Sequence, residues 1–349
     1  MTQQPAPVGI DQGLVTAWVR DHVEVYGEVI FERIAGGRSN LTFRVVDERG
    51  PQAVLRRPPL GHHPKGAHDV MREARTLRAL RGHLAVPSVL ATAEPGEYGD
   101  SALLLMEFLD GAIVRYPSDL SERFPDETSR ARIGPAMAET LASLHSVDPA
   151  VLGHESGLSR EDHVVRQLRT WHRTWTATQV RESDAIDEGH AWLAAHAPHQ
   201  RSTAIVHGDF RVDNCLLDRG GEVLGVLDWE LSTVGDPMTD VGQMLAYWAQ
   251  KDDETTILND PPTVAPGFSS RSQLLDAYVS ASGKDADYIR SVLPYYVAFN
   301  VWKTACILEN VYSRMFRHEM GETDRDPASF GAQAHSVAAY ALDLMRVDE

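Results

Sequence analysis

The feature that most constrains this chain is a pair of short apolar runs, each followed by a carboxylate. The first run, Ala204–Val206, leads through His-Gly to Asp209, and Asn214 stands five positions after that aspartate. The second run covers 223–227 and is followed directly by Asp228. Amide and carboxylate oxygens are the ligands that a hard cation such as Mg²⁺ prefers. A turn cap at Asp209 and a plain loop residue at Asn214 are the alternative interpretation, so the surrounding context has to decide.

The complete string, with His207-Gly208-Asp209, Asn214 and Asp228-Trp229, resembles the catalytic segment of the aminoglycoside phosphotransferase and choline kinase family. Members of that family phosphorylate small molecules with a protein-kinase-like catalytic loop. The resemblance implies that Asp209 orients the acceptor hydroxyl and accepts its proton, and that His207 orients the loop. It also implies that Asn214 and Asp228 bind Mg²⁺. The transition state is loose and highly charged, so positioning and charge neutralisation supply most of the catalysis.

The resemblance also implies a fold class, α+β, with a bilobal protein-kinase-like arrangement. With 349 residues the chain exceeds the size at which one hydrophobic core usually stops growing, which agrees with two lobes. Residues 1–108 are expected to form an N-terminal nucleotide-binding lobe with a five-stranded antiparallel sheet plus a helix. Residues 109–349 are expected to form a mainly helical C-terminal lobe that carries the catalytic loop and binds the acceptor.

Periodicity and turn residues place the individual elements. The expected strands of the first lobe cover 28–35, 41–46, 52–57, 88–93 and 102–108, with a helix over 68–81. The expected helices of the second lobe cover 130–147, 162–178, 183–197, 236–249, 271–281, 285–317 and 329–346. The helix over 285–317 is expected to be broken near Pro294. Residues 251–270, rich in Asp and Pro, are expected to form an exposed loop or the edge of a lid.

Two segments of the first lobe are candidates for binding the nucleotide phosphates. The glycine turn at 36–40 contains Ser39 and Asn40, and a strand–turn–strand unit can lay backbone amides over phosphates. Kinases carry a lysine at the end of the third strand, where this sequence has Arg56, with Arg57 as the alternative. Arginine keeps the charge but differs from lysine in length and geometry. A pair of ordinary solvated arginines at a strand end is the other interpretation.

Three more residues complete the expected nucleotide site. Glu73 lies in the helix after the third strand and is the candidate partner for the arginine. Glu107 and Leu109 lie at the end of the fifth strand, where the resemblance implies a hinge whose backbone contacts the adenine. In the second lobe, His145 is expected to be structural, and Asp240 is expected to brace the catalytic loop as its counterpart does in relatives.

Composition excludes several classes of partner. Thirty-three basic and 50 acidic residues give a formal net charge of −17, which disfavours nucleic acid and anionic membranes. The two cysteines, Cys215 and Cys306, do not form a disulfide framework and fit a reducing compartment. The first residues lack the basic and apolar regions of a signal peptide, and no apolar run is long enough to span a bilayer. We therefore expect a cytoplasmic protein with no nucleic-acid or membrane partner.

Three segments are similar to one branch of the family, which includes kinase-like domains fused to acyl-CoA dehydrogenases. They cover 55–59 (LRRPP), 207–214 (HGDFRVDN) and 299–314 (FNVWKTACILENVYSR). The resemblance implies ATP or GTP as co-substrate, Mg²⁺ as cofactor and a small hydroxylated molecule as acceptor. A hydroxyacyl thioester such as a hydroxyacyl-CoA is the leading candidate within that class.

Two alternatives compete with this function. An aminoglycoside acceptor carries several ammonium groups and needs an acidic cleft, for which the sequence offers Asp252, Asp253, Glu254 and Asp260. A charge run of this kind is more often a solvated surface. A different class of protein, a nucleotide-binding pseudokinase or scaffold, is favoured by the change from lysine to arginine and opposed by the intact carboxylates and asparagine of the catalytic string.

Overall fold

A computed structural model describes residues 8–34, 40–61, 68–153, 162–319 and 326–346. The chain divides into two compact units. The first unit comprises Met1–Gly111 together with Leu224–Ser232, and the second comprises Ala112–Val223 together with Thr233–Glu349. The lobe boundary expected after residue 108 stays a prediction. The inclusion of 224–232 in the first unit was not anticipated from the sequence.

A five-stranded antiparallel sheet is the framework of the first unit, as predicted. Its strands are β1 (Ile30–Arg33), β2 (Leu41–Asp47), β3 (Gly50–Arg57), β4 (Val89–Ala93) and β5 (Leu103–Glu107), arranged β1-β2-β3-β5-β4. Helices α1 (Gln12–His22) and α2 (Val70–Leu80) accompany the sheet. Each helix begins after an aspartate, Asp11 and Asp69, whose carboxylate accepts a hydrogen bond from an amide of the first turn.

Alternation along β3 divides its side chains between the two faces of the sheet. Leu55 belongs to the buried core that the sheet forms with α1, where it joins Trp18 and Phe43. Arg57 lies on the same face as Leu55, because side chains two apart point the same way. Arg56 lies on the opposite face. The two arginines therefore occupy different environments, although they are adjacent in the chain.

The second unit is mainly helical, which confirms the predicted fold class. Its helices are α3 (Pro117–Arg123), α4 (Glu127–Leu144), α5 (His163–Thr178), α6 (Asp184–Ala195), α7 (Met238–Tyr247), α8 (Arg271–Ser282), α9 (Ala286–Phe316) and α10 (Pro327–Arg346). Short strand β6 (Ala204–Val206) precedes the segment 207–214 in the chain, and β7 (Cys215–Leu217), β8 (Val223–Val226) and β9 (Thr233–Gly235) follow it. The division between the two units falls within β8. Strand β6, which leads into that segment, pairs antiparallel with β9.

Helices α7 and α9 approach each other closely at Gly242. A Cβ atom placed on Gly242 would lie 2.6 Å from the carbonyl carbon of Tyr296. The Asn300 side chain joins the two helices by donating to the Thr239 carbonyl at 2.9 Å and to the Tyr296 carbonyl at 2.8 Å. The absence of a side chain at residue 242 therefore sets the distance between the two helices that support the catalytic loop.

The predicted break at Pro294 is wrong, because α9 continues without interruption from Ala286 to Phe316. Proline inside a helix costs about 3 kcal/mol. The same helix buries Tyr296, Phe299 and Trp302 almost completely. Burying each large apolar side chain contributes about 1.5–3 kcal/mol, so packing outweighs the cost of the proline.

The segment 251–270 is mainly loop, as predicted, but it is only partly exposed. Ile257, Pro261 and Thr263 are buried. The Thr263 hydroxyl donates to the Ala249 carbonyl at 2.8 Å, and the Gln333 side chain donates to the Ile257 carbonyl at 3.0 Å. Apolar residues spaced among the charges attach this segment to the second unit, which the overall polarity of the segment conceals. Among the described helices, none is long and apolar enough to cross a membrane.

Candidate active site

In the first unit, the guanidinium of Arg56 contacts two carboxylates. It donates to Glu73 Oε1, lies 3.3 Å from Asp228 Oδ1 and donates to Thr42 Oγ1 at 3.2 Å. The side chains of Arg56 and Glu73 are only 13% and 2% exposed, so the pair is largely desolvated. Burial opposes the charge of Arg56, but Glu73, Asp228 and Glu230 outweigh it and raise the pKa of the guanidinium. Arg56 therefore stays protonated.

Arg57 makes a separate set of contacts on the other face of the sheet. Its guanidinium donates to the Gly9 carbonyl and, at 3.0 Å, to the Pro58 carbonyl. The carboxylate of Asp100, which is mostly exposed, lies 3.2 Å from its guanidinium. The structure thus pairs Arg56, and not Arg57, with Glu73.

Asp228 occupies an unusual backbone conformation, with φ 66° and ψ 62°. A non-glycine residue in this left-handed region is held there by its surroundings, at a cost of ~1–3 kcal/mol. Two hydrogen bonds of 2.9 Å anchor the adjacent chain: the Val226 amide donates to the Ala85 carbonyl, and the buried Trp229 indole donates to the Val226 carbonyl. The Asp228 carboxylate does not cap the turn that follows, so it remains available beside Arg56.

The Asn40 side chain is buried and interacts with the segment after Asp228. Its amide donates to Glu230 Oε2 at 3.4 Å, and His68 Nδ1 lies 3.4 Å from the same oxygen. The amide oxygen of Asn40 is buried and has no hydrogen-bond partner among the described residues. Ser39, the other candidate of the glycine turn, lies outside the described residues.

At the expected hinge, the two candidate residues differ in what their backbone can offer a ligand. The Glu107 amide donates to the Ser88 carbonyl at 2.9 Å, and the Glu107 carboxylate accepts from the Ser88 amide at 3.2 Å. Within the described parts of the chain, the Leu109 amide donates to no other residue. The Leu109 side chain packs over Gly225, where a Cβ would meet its Cδ1 at 2.8 Å. Of the two backbone amides, that of Leu109 is therefore better placed to donate a hydrogen bond to a ligand.

In the second unit, two hydrogen bonds and an ion pair orient the carboxylate of Asp209. Gln243 Nε2 donates to Oδ1 at 2.9 Å, and Asn214 Nδ2 donates to Oδ2 at 3.1 Å. Arg211 Nε lies 3.1 Å from Oδ1 and forms the ion pair. The Asp209 side chain keeps 26% of its surface exposed. Each oxygen therefore accepts one hydrogen bond, and Oδ2, which lacks the ion pair, can still accept a proton or a hydrogen bond.

Asp240, the first-turn residue of α7, holds the backbone that leads to Asp209. Its carboxylate accepts from the His207 amide at 2.6 Å and from the Gly208 amide at 2.9 Å. It also lies 3.4 Å from His145 Nε2, and His145 Nδ1 accepts from the Tyr278 hydroxyl at 2.9 Å. Burial opposes ionisation of Asp240, but these hydrogen bonds hold the pKa of its carboxyl below the ordinary value.

His207 and His145 are both buried rather than presented to solvent. His207 Nδ1 accepts from the Asp209 amide at 3.2 Å, and its ring packs edge-on against Phe210 at 5.9 Å. Burial lowers the pKa of His145, while the neighbouring Asp240 carboxylate opposes that shift. His207 contacts the catalytic segment itself, and His145 contacts Asp240, which holds that segment. Both residues therefore fit a role in shaping it.

The side chain of Asn214 is oriented with its oxygen uncommitted. Its amide nitrogen donates to the Asp209 carbonyl at 2.8 Å and to Asp209 Oδ2 at 3.1 Å. The amide oxygen accepts no hydrogen bond within the part of the chain that is described. A carbonyl oxygen held in this way is a suitable ligand for Mg²⁺. If Asn214 were an unconstrained loop residue, its amide nitrogen would not be expected to donate both of these hydrogen bonds.

Sequence reasoning missed three side chains around Asp209. Arg211 pairs with Asp209, lies 3.1 Å from Asp213 Oδ2, and places its guanidinium 4.7 Å from the Tyr247 ring centroid. Gln243 stands three positions after Asp240 on α7, so both lie on one helical face. Lys303 of α9 donates to the Gly208 carbonyl at 3.3 Å. Helical spacing from Asp240 was the one available signal, and it pointed to Gln243 alone.

The acidic residues offered for an aminoglycoside cleft do not act as a group. Arg271 binds Asp253 through both carboxylate oxygens, at 2.8 and 2.5 Å, and the Gln250 amide donates to the same carboxylate at 2.8 Å. Asp253 is therefore committed to the structure of this segment. The other three, Asp252, Glu254 and Asp260, are solvent-exposed.

Comparison with known proteins relates most of the chain to one group of enzymes. Residues 30–264 match the profile of the phosphotransferase enzyme family. Acyl-CoA dehydrogenase family member 10 of Mus musculus is 34% identical over 88% of this chain. A provisionally assigned acyl-CoA dehydrogenase of Arabidopsis thaliana, IBR3, is also 34% identical over 88% of this chain. The chain spans only 28% and 39% of the length of these two relatives.

A solved structure gives the same relationship at the level of the fold. A protein from Ralstonia eutropha, provisionally named an aminoglycoside phosphotransferase, is 27% identical and superimposes with a TM-score of 0.74. The match covers 97% of this chain and 98% of that protein. The similarity therefore includes both the sheet of the first unit and the helices of the second.

Proposed function

Because the chain belongs to the phosphotransferase enzyme family, we propose that it transfers the γ-phosphoryl group of ATP or GTP to a hydroxyl of a small metabolite. The observation that carries this proposal is the set of contacts made by the Asp209 carboxylate. Two hydrogen bonds and an ion pair with Arg211 orient this carboxylate, yet Oδ2 keeps capacity for one more hydrogen bond. A carboxylate that merely capped a turn would not need a donor from a distant helix.

In the proposed reaction, the acceptor hydroxyl donates a hydrogen bond to Asp209 Oδ2. The hydroxyl oxygen forms a bond to the γ-phosphorus while the bond from that phosphorus to the β–γ bridging oxygen breaks. The hydroxyl proton passes to Asp209, and the nucleoside diphosphate leaves with the electron pair. Positioned proton transfer of this kind contributes ~10²–10⁴-fold to the rate. His207 acts indirectly, by shaping the backbone before Asp209.

The nucleotide is proposed to contact residues of the first unit. Arg56, kept charged by Glu73, supplies positive charge to the phosphates in place of the lysine of other kinases. Ser39 and Asn40 are proposed phosphate contacts in the glycine turn. Glu107 and Leu109 are proposed to bind the base, with the Leu109 amide as the principal donor.

Mg²⁺ is the proposed cofactor, with Asn214 and Asp228 as its protein ligands. When bound, the ion neutralises charge on the transferring phosphoryl group. The donor set fits: one uncommitted amide oxygen and one carboxylate that caps no turn. Mg²⁺ commonly takes one or two protein ligands and completes its coordination with substrate phosphates and water.

For the acceptor, we propose a hydroxylated acyl thioester such as a hydroxyacyl-CoA. The support is that two relatives 34% identical to this chain over 88% of its length are named as acyl-CoA dehydrogenases and that the chain covers only part of each. An aminoglycoside acceptor is less well supported, because Asp253 of the acidic segment is bound by Arg271. A nucleotide-rich reducing compartment, the cytoplasm, suits this reaction.

The experiment is ATP-dependent phosphorylation of a panel of hydroxyacyl-CoAs, aminoglycosides and amino alcohols, with and without Mg²⁺. We expect transfer to a hydroxyacyl-CoA that depends on the metal and is lost in Asp228→Ala. The matched control is Asp21→Ala, which removes an exposed carboxylate of α1 in the same unit. Transfer only to an aminoglycoside would replace the proposed acceptor. Tight nucleotide binding without transfer to any acceptor would make the protein a pseudokinase.

A further inference from the structure

Lys303, in the middle of α9, is a buried lysine that the proposed reaction does not yet use. It is 9% exposed, and its ammonium donates to the Gly208 carbonyl at 3.3 Å. Lysine is almost never fully buried unless its charge has a partner. Burial lowers the pKa of Lys303, whereas the charges of Asp209 and Asp240 oppose that shift and Arg211 adds to it. The contact of this buried ammonium with the catalytic segment therefore indicates a role for Lys303 at that segment.

The hydrogen bonds of Gly208 indicate how the Lys303 ammonium supports the segment. Its amide donates to Asp240 Oδ1 at 2.9 Å, and its carbonyl accepts from Lys303 Nζ at 3.3 Å. Its φ of +85° lies in the left-handed region that glycine adopts readily. Two side chains, Asp240 from α7 and Lys303 from α9, thus hold the peptide groups on either side of Gly208, the residue before Asp209.

We propose that Lys303 is a positioning residue for phosphoryl transfer and acts through the Gly208–Asp209 peptide. This inference rests on the proposed function. Gln243 orients the Asp209 carboxylate from α7, and Lys303 holds the Asp209 main chain from α9. The backbone and the carboxylate are thereby fixed from outside the loop. A displacement of about 1 Å in a reacting group can cost ~10²-fold in rate, which makes such support necessary.

The test uses the full chain with Mg²⁺-ATP as probe and water as the phosphoryl acceptor, so no acceptor has to be identified first. Lys303→Met removes the donor and the charge at nearly constant size. We expect its kcat to fall about tenfold or more, because the Asp209 peptide loses its support. The KM for ATP should stay within about twofold of the wild-type value, because an interaction that acts through Asp209, on the acceptor side, affects kcat alone.

Lys303→Gln and Lys284→Met complete the design. Glutamine keeps a hydrogen-bond donor for the Gly208 carbonyl without a buried charge, so this variant should fold and retain part of the lost kcat. Lys284 is a half-buried lysine of the same unit whose pKa burial also lowers, and among the described residues no hydrogen bond or ion pair joins it to the segment 207–214. Its substitution should leave both kinetic constants unchanged.

The outcomes separate this inference from the proposed function. A folded Lys303→Met with wild-type kcat, or with kcat and KM for ATP changed in parallel, overturns the positioning role. If Lys303→Met does not fold, Lys303→Gln decides, and a wild-type kcat in that variant overturns the role. A wild-type protein that neither hydrolyses ATP nor phosphorylates any acceptor refutes the proposed function, and this inference with it.

Discussion

Replacing Asp209 by asparagine should separate proton transfer from metal binding. Asparagine keeps the size of the side chain but puts an NH₂ group where a carboxylate oxygen now accepts a hydrogen bond. In the position of Oδ1, the NH₂ group would face the Gln243 donor and the charged Arg211 guanidinium. In the position of Oδ2, it would face only the Asn214 donor. The second orientation costs less. The substitution therefore removes the base and also disturbs the amide of the proposed metal ligand.

The two effects differ in size. Loss of the general base should lower single-turnover transfer by ~10²–10⁴-fold. Loss of one hydrogen bond to Asn214 is worth ~1.5 kcal/mol, which weakens Mg²⁺-ATP binding by about tenfold at most. Rapid-quench measurement of phosphoryl transfer, with water as acceptor if no other is known, and calorimetric titration of Mg²⁺-ATP report the two quantities separately.

Asp213→Asn is the matched control for this experiment. Asp213 pairs with the same arginine, Arg211, but Asn214 donates to Asp209 and not to it. Burial raises the pKa of Asp213, so an uncharged amide is a mild replacement there. Near-normal transfer by Asp209→Asn would remove Asp209 from the chemistry. Complete loss of nucleotide binding would assign it to the metal site instead.

Three further predictions concern other parts of the chain. Arg56→Met should destabilise the protein by ~3–5 kcal/mol, because it leaves a buried carboxylate unpaired. It should also weaken ATP binding far more than Arg57→Met does. Equal effects of the two substitutions on ATP binding would show that Arg56 is not the residue that replaces the kinase lysine. Burial lowers the pKa of His163 to about 4, below its unfolded value, so the unfolded chain binds the proton more tightly and acidification lowers the free energy of unfolding. Urea unfolding should show a loss of about 2 kcal/mol from this residue between pH 7 and pH 5, and His163→Gln should abolish that part of the slope. Gly242→Ala should cost ~1–3 kcal/mol and lower turnover by separating α7 from α9, and a variant with unchanged melting temperature would contradict the close approach to Tyr296.

Local sequence determined much of this architecture. The alternation of apolar residues predicted the five strands, and helical spacing predicted most of the helices, because both periodicities depend only on neighbours in the chain. Asp209 and Asn214 lie in one short segment, so their hydrogen bond follows from local geometry. Alternation along β3 also requires Arg56 and Arg57 to face opposite ways.

What sequence could not decide depends on packing between distant elements. Which face of β3 meets Glu73 is set by the position of α2, so the choice between Arg56 and Arg57 needed the tertiary structure. The continuity of α9 through Pro294 follows from burial of its aromatic face, which no local rule contains.

The supports of Asp209 were hidden for the same reason. Gln243 and Lys303 come from helices far along the chain, and their contacts with the catalytic segment depend on how closely α7 and α9 pack. That distance is set at Gly242, where a single methyl group would collide with the facing backbone. The proposed catalytic residues can thus be predicted from a local motif. The groups that hold them in place are determined by helix packing, because packing brings together residues that share no local pattern.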